Sequence, residues 1–473
     1  MKQVAAIALL ACRNALRSRV ILVLVALLLA AVLLFPLAIR HDGTAAGLVR
    51  LHLTYTLGIA AFLLSLSSLW AGCAAVSGEA DDKTLHLLLV KPVPRLRIWI
   101  GKWTALLLIN AALLALVGAV SLATLHAKLR RGNFDPADLA HARATAMASL
   151  VDVEAPLPDV NAEVDSELAD LRARSALPDT LAEDDVRALV RRTVLARRYS
   201  VKPRQSLTWT FGPLPAADAP LSVRFRCDAS VPGAGDLPAV LRVAVGDRTM
   251  SRDIQAMPGS EQTIVFAGLA VPAGASAVVT LENAGRYDAT LFFEPEDGLI
   301  LRLPRGGFLG NYLRALLSLY LRLALFAALG TTLGTLFSMP VAAFLALVLL
   351  LILQLSGFIS AAAQTDRATF VKNVAPFGAN AHSHGHNADD QGEPSLAARG
   401  LATLLYYTYR GTWHTLRPLI EDHALDDLVA AARIPPRRVL AGVLQQGLIL
   451  PSLLAFLSAA VLHKREWALP SLS

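Results

Sequence analysis

The stretch SGEADDKTLHLLLVKPVPRLRIWIGKW, residues 77–103, is a charged segment set between two long apolar runs. Its acids come first, where the dipole of a short helix favours negative charge, and leucines follow at helical spacing. Pro92 and Pro94 then end the helix and stiffen its exit. The pattern predicts a short, rigid segment that joins two membrane spans.

The composition indicates a membrane protein. Of the 473 residues, 55% are hydrophobic and 17% are charged, whereas a soluble globular protein carries roughly 25% charged residues. The apolar residues are gathered into runs of about 20, the length of an α-helix that crosses a bilayer. The net charge of +7 comes largely from basic residues beside these runs, which is typical of membrane-flanking charge and argues against a nucleic-acid partner.

Six transmembrane helices are predicted from these runs. The first differs from a secretory signal because it is long and no small-residue cleavage site follows it, so we expect it to be retained. The predicted spans are residues 20–38, 54–76, 103–125, 314–337, 341–361 and 439–462.

The distribution of lysine and arginine orients these spans. The opening residues 1–19, the connection 77–102 and the tail after the last span are all basic, and six spans place all three on one face. Basic residues mark the cytoplasmic side, so both termini are expected in the cytoplasm. Residues 1–19 also show an apolar stripe at helical spacing, which predicts a helix on the membrane surface.

Residues 126–305, between the third and fourth spans, have the composition of a water-soluble α+β domain outside the cytoplasm. Residues 126–200 are predicted to be helical, with Asp135 as an N-cap and Pro136 as the first helical residue. Alternating apolar residues across 204–303 predict a β-sandwich. Two further regions complete the predicted organisation, residues 1–125 with the first three spans and residues 306–473 with the last three and an outer loop at 362–438.

The connection 77–102 resembles the cytoplasmic coupling segment of type 2 ABC-transporter permeases. The resemblance is carried by an acid, a Thr-Leu pair, a leucine run, Pro-Val-x-Arg and a Gly-Lys before the next span. These residues are Glu79, Thr84, Leu85, Leu88, Leu89, Pro92, Val93, Arg95, Gly101 and Lys102. One departure is Asp82-Lys83, which stands where a Glu/Arg-Gly pair is common in the family.

The resemblance implies the permease subunit of an ABC exporter in the inner membrane of a bacterium, working as a homodimer or with a second permease in the lipid bilayer. It implies no cofactor and no catalysis by this chain, since a separate cytoplasmic ATPase would hydrolyse ATP. In agreement, the sequence has no phosphate-binding P-loop. The residues implied to contact the ATPase are Glu79, Asp82, Lys83, Thr84, Leu85, Leu88, Leu89, Pro92 and Arg95.

Two alternatives remain open from the residues alone. The leucines of the connection could pack beneath their own helical bundle instead of docking on a partner. The chain could also be a membrane-anchored binding or envelope-assembly protein whose function resides in the extracytoplasmic domain.

Three residues in the predicted fourth span are candidates for packing or transport. Gly330 and Gly334 form a G-x-x-x-G pattern, which permits close helix approach within one bundle or across a dimer. Arg322 lies about two turns inside the span, where it could line a transport path or extend to the outer interface.

A histidine-rich stretch lies in the predicted outer loop. His382, His384 and His386 alternate along it, and such spacing can place imidazoles on one metal ion. No further ligands with motif spacing follow, so a solvated loop is the alternative and no metal site is assigned.

Overall fold

The computed structural model describes residues 2–17, 19–38, 43–79, 93–174, 183–217, 220–231, 235–285, 289–354, 400–401, 403–408, 410 and 423–464. Its helices are α1 (Lys2–Arg17), α2 (Arg19–Ala38), α3 (Ala45–Cys73), α4 (Arg95–Arg131), α5 (Pro136–Thr145), α6 (Asn161–Ala173), α7 (Glu183–Arg198), α8 (Phe308–Leu336), α9 (Met339–Gln354), α10 (Ala424–Val429), α11 (Pro436–Gly442) and α12 (Leu450–Lys464). Short π-helical segments at Ala74–Gly78 and Val443–Ile449 extend α3 and join α11 to α12.

Four helical stretches of the described chain are long and apolar enough to cross a membrane. They are Ala45–Gly78, Arg95–Arg131, Phe308–Leu336 and Pro436–His463. Two shorter apolar stretches, Val25–Leu34 and Met339–Ile352, lie in the predicted first and fifth spans. The structure therefore fits a membrane α-helical protein, and six crossings remain a prediction.

All four stretches are longer than the predicted spans, and the difference is largest for two of them. The helix that contains predicted span 54–76 begins at Ala45, and the helix that contains span 103–125 runs from Arg95 to Arg131. At 1.5 Å per residue, the 37 residues of α4 extend about 55 Å, well beyond a hydrocarbon core of about 30 Å. Hydropathy marks only the apolar middle of such a helix, which explains the difference.

The β-rich domain contains two antiparallel sheets that share one apolar core, and most of its strands lie in the predicted range 204–303. Within the described residues, sheet 1 has the order β1-β10-β4-β9-β2 with β7 also paired to β4, and sheet 2 has the order β3-β8-β5-β6. The strands are β1 (Ala148–Glu154), β2 (Ser200–Val201), β3 (Ser206–Phe211), β4 (Leu221–Ala229), β5 (Leu237–Val245), β6 (Arg248–Ala256), β7 (Glu261–Phe266), β8 (Ala277–Asn283), β9 (Leu291–Phe293) and β10 (Leu299–Gly307).

Strand β1 corrects the prediction that residues 126–200 are purely helical. Asp135 does cap α5, where its side chain accepts a hydrogen bond from the Ala137 amide, and α6 and α7 follow as predicted. Between α5 and α6, however, β1 pairs antiparallel with β10, some 150 residues away in sequence. That distant partner stabilises the strand, so local periodicity alone did not reveal it.

The β-rich domain continues into the helical part without a linker at the end of β10. Strand β10 ends at Gly307 and α8 begins at Phe308. A second connection is the segment 423–434, where the Leu150 amide donates to the Ala431 carbonyl (2.8 Å) and the Arg433 amide donates to the Leu150 carbonyl (2.7 Å). The apolar side of this segment packs against α3, α4 and α8.

Candidate functional site

The predicted coupling segment is described only at its two ends. Residues 80–92 lie outside the described residues, and with them Asp82, Lys83, Thr84, Leu85, Leu88, Leu89 and Pro92. Glu79 ends the helix that includes α3, and Arg95 begins α4. The geometry of the site is therefore that of the two helix ends from which the segment leaves.

A buried ion pair joins these two helix ends. The Lys102 ammonium lies 2.5 Å from Oε2 of Glu79, and the lysine side chain is only 2% exposed. Lys102 also donates to the carbonyl of Ala75, which lies in the π-helical segment after α3. A buried ammonium is tolerated only when it is paired and hydrogen-bonded, so Glu79 and Ala75 together explain its position.

The start of α4 is also tied to both ends of the chain. The Arg95 guanidinium donates to the carbonyl of Leu462 in α12, and the Arg97 guanidinium donates to Oε1 of Gln3 in α1 (2.8 Å). A Cβ placed on Gly101 would lie 2.7 Å from Cγ2 of Ile7, so α1 crosses α4 at this glycine. The predicted surface helix thus packs directly on the helix that follows the coupling segment.

Aromatic side chains continue the contact from α4 to α8. The rings of Trp99 and Trp103 stack with centroids 5.6 Å apart, and the Trp103 indole donates to the carbonyl of Ala324 (2.8 Å). Trp99 is buried beside Ala328. The start of α4 is therefore connected to α8, the helix that follows directly on the β-rich domain.

Small residues let α3 and α8 approach closely. A Cβ on Gly330 would lie 3.1 Å from the Cα of Gly72, and a Cβ on Gly334 would lie 3.1 Å from the Cα of Cys73. The structure thus places both glycines of the G-x-x-x-G pattern against another helix of the same chain. On the other side of α8, Ser458 of α12 donates to the Thr332 hydroxyl (3.1 Å).

Arg322 lies on α8 with its guanidinium over the ring of Phe326, 5.4 Å from the ring centroid. Its Nε is buried. This arrangement places the charge against an aromatic face of its own helix, which stabilises a cation in apolar surroundings. It leaves both predictions for Arg322, the transport path and the outer interface, untested.

A polar cluster between α3, α4 and α8 was missed by the sequence analysis. The His52 imidazole, 2% exposed, donates from Nε2 to the carbonyl of Ser121 (3.0 Å), and the hydroxyls of Thr56 and Ser121 lie 3.1 Å apart. The Tyr312 hydroxyl donates to the carbonyl of Gly118 (2.9 Å). These bonds hold three apolar helices together, and the signal that could have revealed them was a histidine near the end of an apolar run.

Metal binding finds no support in the described part of the chain, where no group of three or more His, Cys, Asp or Glu side chains could hold an ion. His382, His384 and His386 lie outside the described residues. Of the cysteines, Cys73 and Cys227 are buried, and burial raises the pKa of the Cys227 thiol to about 11. Cys227 is therefore an inert packing residue.

Comparison with known proteins bears on the helical part. Residues 5–151 match the family model of the ABC-2 family transporter proteins. This part of the chain is similar to the membrane subunits of type 2 ABC transporters. The match spans α1, the first three predicted spans and both helix ends joined by Glu79 and Lys102.

The other comparisons add little. No curated protein matches the chain. A solved structure titled as TmCBM61 in complex with beta-1,4-galactotriose is similar over 22% of this chain and 67% of its own length, with 17% identity and a TM-score of 0.15. A similarity this slight informs neither the fold nor the ligand of the outer domain.

Proposed function

We propose that the chain is the membrane-spanning subunit of an ABC exporter, driven by a separate cytoplasmic ATPase that docks on residues 77–102. The observation that carries the proposal is the ABC-2 family match over residues 5–151, which includes the whole of the predicted docking segment. The chain would work as a homodimer or with a second permease. It would lie in the inner membrane with both termini in the cytoplasm, as the basic connections indicate.

The contacts at the ends of the segment support this function physically. A push on residues 80–92 would reach α3 through Glu79 and α4 through Arg95 and Lys102. From there, close packing of Gly72 on Gly330 and the Trp103 bond to Ala324 lead to α8. Packed helices behave as rigid bodies, so the ATPase would rock the spans against one another.

The outer domain would move with the spans. Because β10 continues directly into α8, and segment 423–434 links β1 to the outer ends of the helices, the β-sandwich is held at two places. We propose that this extracytoplasmic domain binds substrate, an envelope partner or its dimer mate during export.

The experiment is co-purification of the full-length chain with a candidate ABC ATPase from the same organism. Leu85→Asp and Leu88→Asp should abolish the complex and the stimulation of ATP hydrolysis, because a buried carboxylate at a docked leucine is costly. Leu189→Asp is the matched control, since Leu189 is 58% exposed on α7 of the outer domain. Failure of the wild-type chain to bind the ATPase would refute the proposal and favour a membrane-anchored binding protein.

Orientation is tested by single-cysteine labelling. After replacement of Cys12, Cys73 and Cys227 by alanine, a cysteine at position 85 should react with an impermeant maleimide only in inverted vesicles. A cysteine that replaces Val231, which is 49% exposed in the outer domain, should react in intact cells and not in inverted vesicles. The reverse pattern would place the coupling segment outside the cell and end the proposal.

A further inference from the structure

A cavity of about 510 Å³ lies where the N-terminal part of α3 meets the outer domain. One wall is a stripe of α3, a second consists of side chains of β4, β7 and β10, and a third is α10. The helical stretch Ala45–Gly78 has 34 residues and extends about 51 Å, so its outer turns project beyond a hydrocarbon core of about 30 Å. The cavity therefore opens at the outer interface of the proposed bilayer.

Two of the three arginines that line the cavity are neutralised by nearby acids. Arg302, 1% exposed, donates from Nε to Oδ1 of Asp152 (2.8 Å) and from Nη2 to the carbonyl of Ala430 (2.7 Å). Arg224 lies 3.5 Å from Asp152 and 3.7 Å from Glu261. These two guanidiniums are therefore structural parts of the cavity wall, with their charges already offset by acids.

Arg50 differs from both. Its Nε is buried without a hydrogen-bond partner, and its side chain forms no hydrogen bond or ion pair within the described chain. It is nevertheless a permanent cation that lines the cavity. A partly desolvated guanidinium of this kind is stabilised by an anion with two oxygen acceptors, such as a phosphate or a carboxylate.

The surface next to Arg50 is apolar. Leu53 lies one helical turn along α3, and Leu425 and Val429 face it from α10. Gly58 continues the stripe, and a Cβ built on it meets no atom within 4 Å, so the cavity remains open at this level. One cation beside an apolar wall fits an amphiphile better than a freely soluble anion.

The remaining acids limit the charge of the ligand. Glu261 and Asp426 also line the cavity, and Asp426 lies 3.4 Å from the His423 imidazole. Glu261 is offset by Arg224, but the Asp426 carboxylate lines the same space and disfavours a polyanion, because like charges repel at short range. A single negative charge matches the single unpaired guanidinium.

We propose that this cavity binds a singly charged anionic amphiphile from the outer leaflet, with its phosphodiester or carboxylate on Arg50 and its first methylenes against Leu53, Leu425 and Val429. The site belongs to the junction between the helices and the outer domain. It goes beyond the proposed export function and does not depend on an ATPase.

The test is binding of fluorescent phosphatidylglycerol to the purified full-length chain in nanodiscs of phosphatidylcholine. Arg50→Gln should weaken binding about tenfold, the loss expected when one charge-assisted bond of about 1.5 kcal/mol is removed. Arg130→Gln makes the same charge change at an exposed position on α4 and should alter binding less than twofold. Equal losses in the two variants would show a nonspecific charge effect and overturn the proposal.

A second pair of variants tests the cavity without removing a charge. Gly58→Leu should fill the apolar end and weaken binding, whereas Gly310→Leu, at a glycine that also has open space around it, should leave binding unchanged. Inorganic phosphate at millimolar concentration should fail to displace the lipid. Displacement by phosphate alone, or undiminished binding in Gly58→Leu, would contradict an amphiphile site.

Discussion

The Lys102 ammonium and the Glu79 carboxylate lie 2.5 Å apart, at the two helix ends that hold the predicted coupling segment. Replacing Glu79 by Gln should destabilise the folded chain by about 3–5 kcal/mol, because Lys102 would lose the carboxylate that offsets the burial of its side chain. The double variant Glu79→Gln/Lys102→Met should recover part of the loss. Thermal unfolding followed by size-exclusion chromatography in detergent measures both.

An exposed ion pair provides the control for that prediction. Arg187 and Asp165 lie 2.8 Å apart with both side chains about half exposed, so Arg187→Met should cost less than about 1 kcal/mol. Similar losses of stability in Glu79→Gln and Arg187→Met would mean that the buried ion pair contributes no more to stability than the exposed one.

Gly330 should not tolerate a methyl group, although alanine is the better helix former. In Gly330→Ala the new Cβ would meet the backbone of α3 at Leu69 and Gly72, which cannot move aside as a flexible side chain can. We expect a lower unfolding temperature and a loss of the α3–α8 contact. In Gly310→Ala, where the Cβ meets open space, helix propensity predicts no change or a gain of up to about 1 kcal/mol. A stabilised Gly330→Ala would contradict the packing.

Arg302 should hold segment 423–434 against the β-rich domain. Arg302→Met removes the bonds to Asp152 and Ala430, so that Oδ1 of Asp152 and the Ala430 carbonyl lose their donor. Hydrogen exchange should accelerate in residues 424–434 by about tenfold or more, while exchange in β5 and β8 should be unchanged. Arg305→Met, at an exposed residue of the same strand, is the control and should leave exchange in 424–434 unaltered.

His141 should make stability depend on pH. Burial lowers the pKa of its imidazole below 6.5, Asp138 opposes this shift, and Arg50 and Arg252 add to it. A lowered folded-state pKa means that the unfolded chain binds the proton first, so stability is complete above about pH 6.5 and falls as the pH drops below it. His141→Gln should flatten that part of the profile, which is measured as the unfolding temperature against pH.

The parts of the fold that depend on local pattern were predictable. Alternation from Leu221 to Cys227 predicted a strand with one buried face, and all four residues at alternate positions are buried by more than 98%. Asp135 and Pro136 correctly predicted the start of α5. Four long apolar helices were likewise visible as hydrophobic runs.

What depended on distant partners was not predictable. Strand β1 exists because β10 pairs with it, and Leu150 bonds to a segment about 280 residues further along the chain. Lys102 is buried because Glu79, at the end of another helix, pairs with it, and sequence could not show that pairing. A lysine at the start of an apolar run was nevertheless a signal for a buried charge. Arg50 was not predicted as a site residue, since sequence cannot show that its side chain lines a cavity.

The absence of any linker between β10 and α8 has a mechanical consequence. Strand β10 ends in Gly306 and Gly307, and Phe308 is already the first residue of a 29-residue helix. A change in the angle between helix and sheet must therefore be absorbed by the backbone of these two glycines, and a tilt of the helix that they do not absorb rotates the whole sheet.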